Sequence, residues 1–143
     1  HRVYGINRWA NENGVDLTLH LHFNDYPGRR GASKYRGFSI YIPERQFPNA
    51  RASRELAEAV QRELALIAPV SNFPGEAGSP IEDQELIAVG ANGSRISSSL
   101  LIEYGYLAER RFQTKAAREA TIAELSLRTA RGLAQYFGAP FTN

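Results

Sequence analysis

The stretch Val15-Asp16-Leu17-Thr18-Leu19-His20-Leu21-His22-Phe23-Asn24 decides how the rest of the chain is organised. Leu17, Leu19, Leu21 and Phe23 alternate with Thr18, His20, His22 and Asn24. A strand here turns one apolar row toward a core and one polar row the other way. The polar row ends, at the carboxyl end of the strand, in two imidazoles and an amide. Upstream, Val3, Ile6, Trp9 and Ala10 stand at helical spacing and Asn13-Gly14 makes a stop, which predicts the end of a helix over 1–13. Downstream, residues 25–37 read as a basic loop. Phe38 to Ile42 alternates and is closed by Pro43, predicting a second strand.

Further along, Leu56, Val60, Leu64 and Ile67 predict a helix over 52–68, stopped by Pro69. Residues 69–83 hold three prolines and two glycines and predict a long loop, of the kind that forms a functional rim or stays disordered. A short strand is expected over 85–89 and another over 98–103, ending in Glu103. A long helix is expected over 114–137, with Ile122, Leu125, Thr129, Leu133 and Tyr136 on one stripe and Gly138 and Pro140 beyond it. Helices alternating with short apolar strands predict one α/β domain over 1–143: a three-layer sandwich with a largely parallel twisted sheet and helices on both faces. Ligands in such sheets bind beyond the carboxyl ends of the strands. Two strands here end in chemically capable residues, one in His22 and Asn24, the other in Glu103.

Composition narrows the chemistry. The chain has 143 residues, of which 43% are hydrophobic, enough for a core. Seventeen basic residues against fifteen acidic leave a formal +2, too small an excess to indicate a nucleic-acid partner. No apolar run approaches a membrane span. The absence of cysteine excludes disulfides, thiolate-bound zinc, iron–sulfur clusters and a thiol nucleophile. Any metal must be held by His, Asp or Glu. The chain opens at His1 and has no methionine, so it is expected to be part of a longer product.

Three groups could carry chemistry. His20 and His22, two apart on a strand, aim both imidazoles one way; metal ligation and ordinary half-buried histidines both fit that spacing. Glu103 closes the apolar run Leu100-Leu101-Ile102. A carboxylate there is costly to desolvate unless it is paired, metal-bound or at the mouth of a cleft, where it can serve as a general base with a raised pKa. Asn24 could orient a ligand or cap the following turn. Arg29, Arg30, Lys34 and Arg36 make a cationic loop that could clamp substrate carboxylates or simply be solvated. Ser97, Ser98 and Ser99 lack the glycine-flanked setting of a hydrolase nucleophile.

Four stretches taken together resemble the zinc-dependent N-acetylmuramoyl-L-alanine amidases of type 3, which are peptidoglycan hydrolases. They are Asn7-Arg8-Trp9-Ala10-Asn11 with Val15-Asp16-Leu17, Leu19 to Asn24, Gly37 to Tyr41 with the helix after it, and Leu100-Leu101-Ile102-Glu103-Tyr104-Gly105-Tyr106-Leu107. The resemblance implies that His22 is a zinc ligand and Glu103 the catalytic carboxylate. It also implies that Asn24, Arg29, Arg30 and Arg36 lie near a muropeptide substrate, and that the location is extracytoplasmic. His20 stands where the family has a small polar residue and is at most an accessory ligand. The family also needs an earlier histidine and glutamate, which belong upstream of His1. The chain is therefore expected to lack the N-terminal strand and the first metal ligands, and to leave a sheet edge open. Two other readings stay in play: a non-catalytic peptidoglycan-binding module of the same fold, and another zinc hydrolase of carboxypeptidase-like type.

Overall fold

The computed structural model describes residues 2–25 and 34–141. Along the chain run α1 (Arg2–Glu12), β1 (Leu17–Asn24), β2 (Ser39–Ile42), α2 (Ala50–Leu64), β3 (Ile81–Glu82), β4 (Ser98–Tyr106) and α3 (Lys115–Phe137). Two 3-10 turns, Pro74–Glu76 and Arg110–Phe112, join them. The four strands form one sheet in the order β1-β4-β2-β3. β1 pairs parallel with β4, β2 parallel with β3, and β2 antiparallel with β4, so the α/β fold has a largely parallel sheet. Among the described residues β1 is an edge strand, and Leu21 on it is 53% exposed.

One sheet face makes the main core. Phe38, Ile40, Ile42, Leu100 and Ile102 meet Leu56, Val60 and Leu64 of α2 and Leu125 of α3, all at 1% exposure or less. Full burial of each such side chain contributes about 1.5–3 kcal/mol. α3 presses closely on α2 because Gly132 faces it: a Cβ there would stand 2.6 Å from Val60 Cα. Thr129 sits in the apolar stripe because its hydroxyl bonds the buried Tyr104 hydroxyl at 2.7 Å. Thr114 caps the start of α3 by accepting from the Ala117 N–H at 3.2 Å, and left-handed Gly138 ends the helix.

The other face is covered by residues 83–97, and here the sequence expectation needs correction. Residues 85–89 form turns rather than a strand. Asp83 Oδ1 accepts from the N–H groups of Glu85 (2.7 Å) and Leu86 (2.9 Å), and Ala91 N–H returns to the Gln84 carbonyl at 2.7 Å. The apolar character that suggested a strand serves packing instead: Ala88 and Val89 cover Leu101, with Tyr41 and Leu86 at the margin. α1 docks on the outside of this segment through polar groups. Asn7 Nδ2 donates to the carbonyls of Ile87 (2.8 Å) and Asn92 (2.9 Å), and Asn11 Oδ1 accepts from Ser94 and Arg95. The inner side of α1 is thus Asn7 and Ala10, while Ile6 and Trp9, expected among its apolar positions, are 53% and 59% exposed. The segment over 69–83, expected to be loop throughout, ends in β3 (Ile81–Glu82), because Tyr41 and Ile42 of β2 pair with it. Ser71 N–H bonds the Phe38 carbonyl at 2.8 Å, and the loop then turns through Pro74–Glu76 to reach the sheet.

Candidate functional site

Strand register brings the two strand-end signals together. His22 is paired with Glu103 across β1 and β4, and Ser39 of β2 flanks Glu103 on its other side. His22 Nδ1 and Glu103 Oε1 are 3.8 Å apart, side by side in the cleft but too far for a hydrogen bond. Both line a cleft of about 560 Å³ whose other walls are Asn24, Tyr41, Asp83, Glu85, Leu86, Ile87, Ala88 and Leu101. The apolar half of that lining comes from the turn-rich segment and Leu101, so it limits water around the carboxylate.

Alternation alone would send Tyr106 to the core side with Tyr104. The β1–β4 register shifts after His22, so that Asn24 stands opposite Tyr106. The irregularity falls where Gly105 adopts φ +146, a conformation that side-chain-bearing residues rarely take. A Cβ at Gly105 would also stand 2.5 Å from both Glu109 Oε1 and Arg111 Nη2, which close over it. The shift sends the Tyr106 hydroxyl to Glu76.

Glu76 is the residue that sequence reasoning missed. Its only warning was its place in a proline- and glycine-rich loop flagged as a functional rim. It is 4% exposed, and its carboxylate is held from three sides. Oε1 accepts from Asn24 Nδ2 (2.8 Å) and the Tyr41 hydroxyl (3.0 Å), and Oε2 from the Tyr106 hydroxyl (2.8 Å). Burial by itself would raise its pKa, but donors from Ser71, Tyr106, Asn24 and Tyr41 outweigh it and hold the carboxyl below the usual range. Glu103 has the opposite setting. Burial, followed by the charge of Glu76, pushes it up to about 7, and its Oε2 is buried without a hydrogen-bond partner. A carboxyl group poised near neutrality can take and return a proton at physiological pH.

The other sequence candidates fall around this pair. His20 lies on the same face as His22, opposite Leu101, with Nε2 buried and unpartnered. Its pKa is lowered, first by burial and then by His22. Asn24 lines the cleft with its amide nitrogen anchored on Glu76; the turn after it that it was expected to cap runs into residues outside the described ones. Arg36 is exposed and lies outside the described cleft lining; its backbone N–H donates to Asn72 Oδ1 at 2.8 Å. Arg29 and Arg30 lie outside the described residues. For zinc, the donor chemistry fits at one position, since His22 presents an imidazole on the cleft wall beside a carboxylate. Among the described residues, however, no group of three or more His, Asp or Glu could hold a metal ion. Zinc at His22 therefore requires donors beyond them.

Comparison with known proteins agrees with this geometry. The chain is similar to the amidase Ami1 from Mycobacterium smegmatis, with 19% identity and a TM-score of 0.70 over 95% of this chain and 60% of that one. It is similar to the CwlD amidase from Clostridioides difficile, solved in complex with the GerS lipoprotein: 18% identity and a TM-score of 0.64 over 92% and 59%. The catalytic domain of the CD27L endolysin gives 16% identity and a TM-score of 0.62 over 99% and 64%. At these identities the likeness shows the fold, and the chain spans about three fifths of the length of these structures. No curated protein matches the sequence. The N-acetylmuramoyl-L-alanine amidase family model matches residues 4–135, a range that takes in all four strands and both His22 and Glu103. On that match the chain belongs to the N-acetylmuramoyl-L-alanine amidase family.

Proposed function

We propose that this chain is a catalytic part of an extracytoplasmic peptidoglycan hydrolase that cleaves the amide between N-acetylmuramic acid and L-alanine. The observation that carries the reading is the meeting of His22 and Glu103 in one cleft, with Glu103 raised to about 7. Glu103 takes the proton of the attacking water and passes it to the departing alanine amine, which a carboxyl near neutrality does in both directions. Leu86, Ile87, Ala88 and Leu101 form the apolar part of the cleft wall, the surface this reading gives to the substrate beside the scissile amide. His22 is the imidazole this chain offers to a zinc ion, with the remaining ligands outside the described residues. Zinc in such a site contributes Lewis acidity and lowers the pKa of water toward about 7. The cationic loop with Arg29, Arg30 and Arg36 is assigned to the stem-peptide carboxylates.

The test is product analysis with the intact protein that carries this chain. Muropeptides should be split at the lactyl amide, freeing peptides that begin with L-alanine. A chelator should stop the reaction and zinc should restore it, and Glu103→Gln should abolish it. Cleavage inside the peptide instead would mark a carboxypeptidase-like hydrolase. Binding without cleavage, indifferent to chelator, would mark a peptidoglycan-binding module. Full activity in Glu103→Gln would overturn the assignment.

A further inference from the structure

Among the polar side chains that line the cleft with Glu103, Asn24 and Tyr41 are not free to choose their hydrogen-bonding roles. The Tyr41 hydroxyl has one hydrogen, and it goes to Glu76 Oε1 at 3.0 Å. The Asn24 amide could turn either end inward, but its Nδ2 donates to the same oxygen at 2.8 Å. Glu76 lies behind this wall, 4% exposed and absent from the cleft lining, with its second oxygen fixed by Tyr106 at 2.8 Å. An ionised carboxylate only accepts, so every group that touches it must donate. We infer that Glu76 is a positioning residue that fixes the polarity of the cleft wall. By drawing the Tyr41 hydrogen and the Asn24 amide nitrogen to itself, it leaves the Tyr41 oxygen and the Asn24 carbonyl oxygen as acceptors for backbone N–H groups of a peptide substrate.

The inference rests on the peptidoglycan-cleaving reading for the identity of that peptide. It also goes beyond that reading, because the specificity comes from a buried residue that never meets the substrate. A neutral isostere at position 76 removes the constraint. The Glu76→Gln amide carries donors of its own, so Tyr41 can turn its hydrogen into the cleft and Asn24 can reverse. A role confined to stability would leave substrate discrimination untouched.

The experiment uses the intact protein and a set of muropeptides in which each stem-peptide N–H is replaced in turn by an ester oxygen, removing a donor without adding bulk. In the wild-type protein at least one replacement should raise KM about tenfold with kcat little changed, as loss of one hydrogen bond to a substrate donor predicts. In folded Glu76→Gln that ratio should shrink to within about twofold. Adding Asn24→Ala to Glu76→Gln should change the ratio no further, since both act on one contact. A wild-type protein blind to every ester, or a folded Glu76→Gln that keeps the full ratio, overturns the inference. Should Glu76→Gln fail to fold, Tyr41→Phe and Asn24→Ala each remove one acceptor; an unchanged ratio in both overturns it equally. Failure of the amidase reading looks different. A wild-type protein that binds muropeptides without cleaving them refutes cleavage, and the same ratios are then taken from Kd. One that neither binds nor cleaves them refutes both.

Discussion

Glu76 and Glu103 are both largely buried glutamates on the same side of the sheet, and their surroundings differ in one respect. Glu76 meets donors on both oxygens, from Asn24, Tyr41 and Tyr106, whereas Glu103 Oε2 is buried with none. Burial raises both carboxyl pKa values; hydrogen bonds reverse the effect at Glu76 and leave it standing at Glu103. The difference separates a carboxylate that organises its neighbours from one that can trade a proton. It also shows how one fold keeps two like charges close: one is fully satisfied, and its field helps the other keep its proton.

The largest test of this contrast is Glu103→Gln, which should lower amide cleavage by about 10²–10⁴-fold, measured as kcat/KM on a muropeptide. Next is Glu76→Ala. It removes the acceptor that Asn24, Tyr41, Tyr106 and Ser71 share and should destabilise the fold by about 3 kcal/mol, read from denaturant unfolding. That loss should be largest near neutral pH. A folded pKa below the unfolded one means that Glu76 stabilises above the ordinary carboxylate range, and that this contribution fades as pH falls through its folded pKa. Tyr106→Phe removes one of the charged hydrogen bonds and should cost about 1.5 kcal/mol under the same conditions.

The smallest expected effect has the opposite sign. Glu103 is raised to about 7, so between the ordinary carboxylate range and pH 7 the folded state holds a proton that the unfolded state has lost. Native stability then falls as pH rises across that window. Glu103→Gln should relieve this and stabilise the protein at pH 8 by on the order of 1 kcal/mol, discounted for the water that reaches the cleft, with no gain at pH 4. If both glutamate substitutions destabilised the fold alike at pH 8, the contrast between the two sites would be broken.

The site was partly legible in the chain. Period-two alternation in Leu17 to Asn24 placed His22 and Asn24 on one face, and the run Leu100-Leu101-Ile102 marked Glu103 as a carboxylate in apolar company. The core helices were legible for the same reason, because a repeating burial pattern leaves a repeating sequence pattern. Where irregular backbone does the work, the signal disappears. Residues 85–89 looked like a strand because packing on Leu101 requires apolar side chains whatever the backbone conformation. α1 looked anchored by Ile6 and Trp9, but two asparagine side chains bonding the 83–97 segment turned it the other way. The roles of Glu76 and Tyr106 could not be read because one sits in a loop without period and the other follows a register shift.

By itself the sequence determined which residues could be chemically active and on which sides of their strands most of them lie, because side-chain alternation follows directly from residue order. Only the tertiary structure decided which carboxylate would be free to carry a proton. That depends on how many donors reach each oxygen, and those donors arrive from segments as far apart as Asn24, Tyr41 and Tyr106, joined by strand pairing and one shift of register.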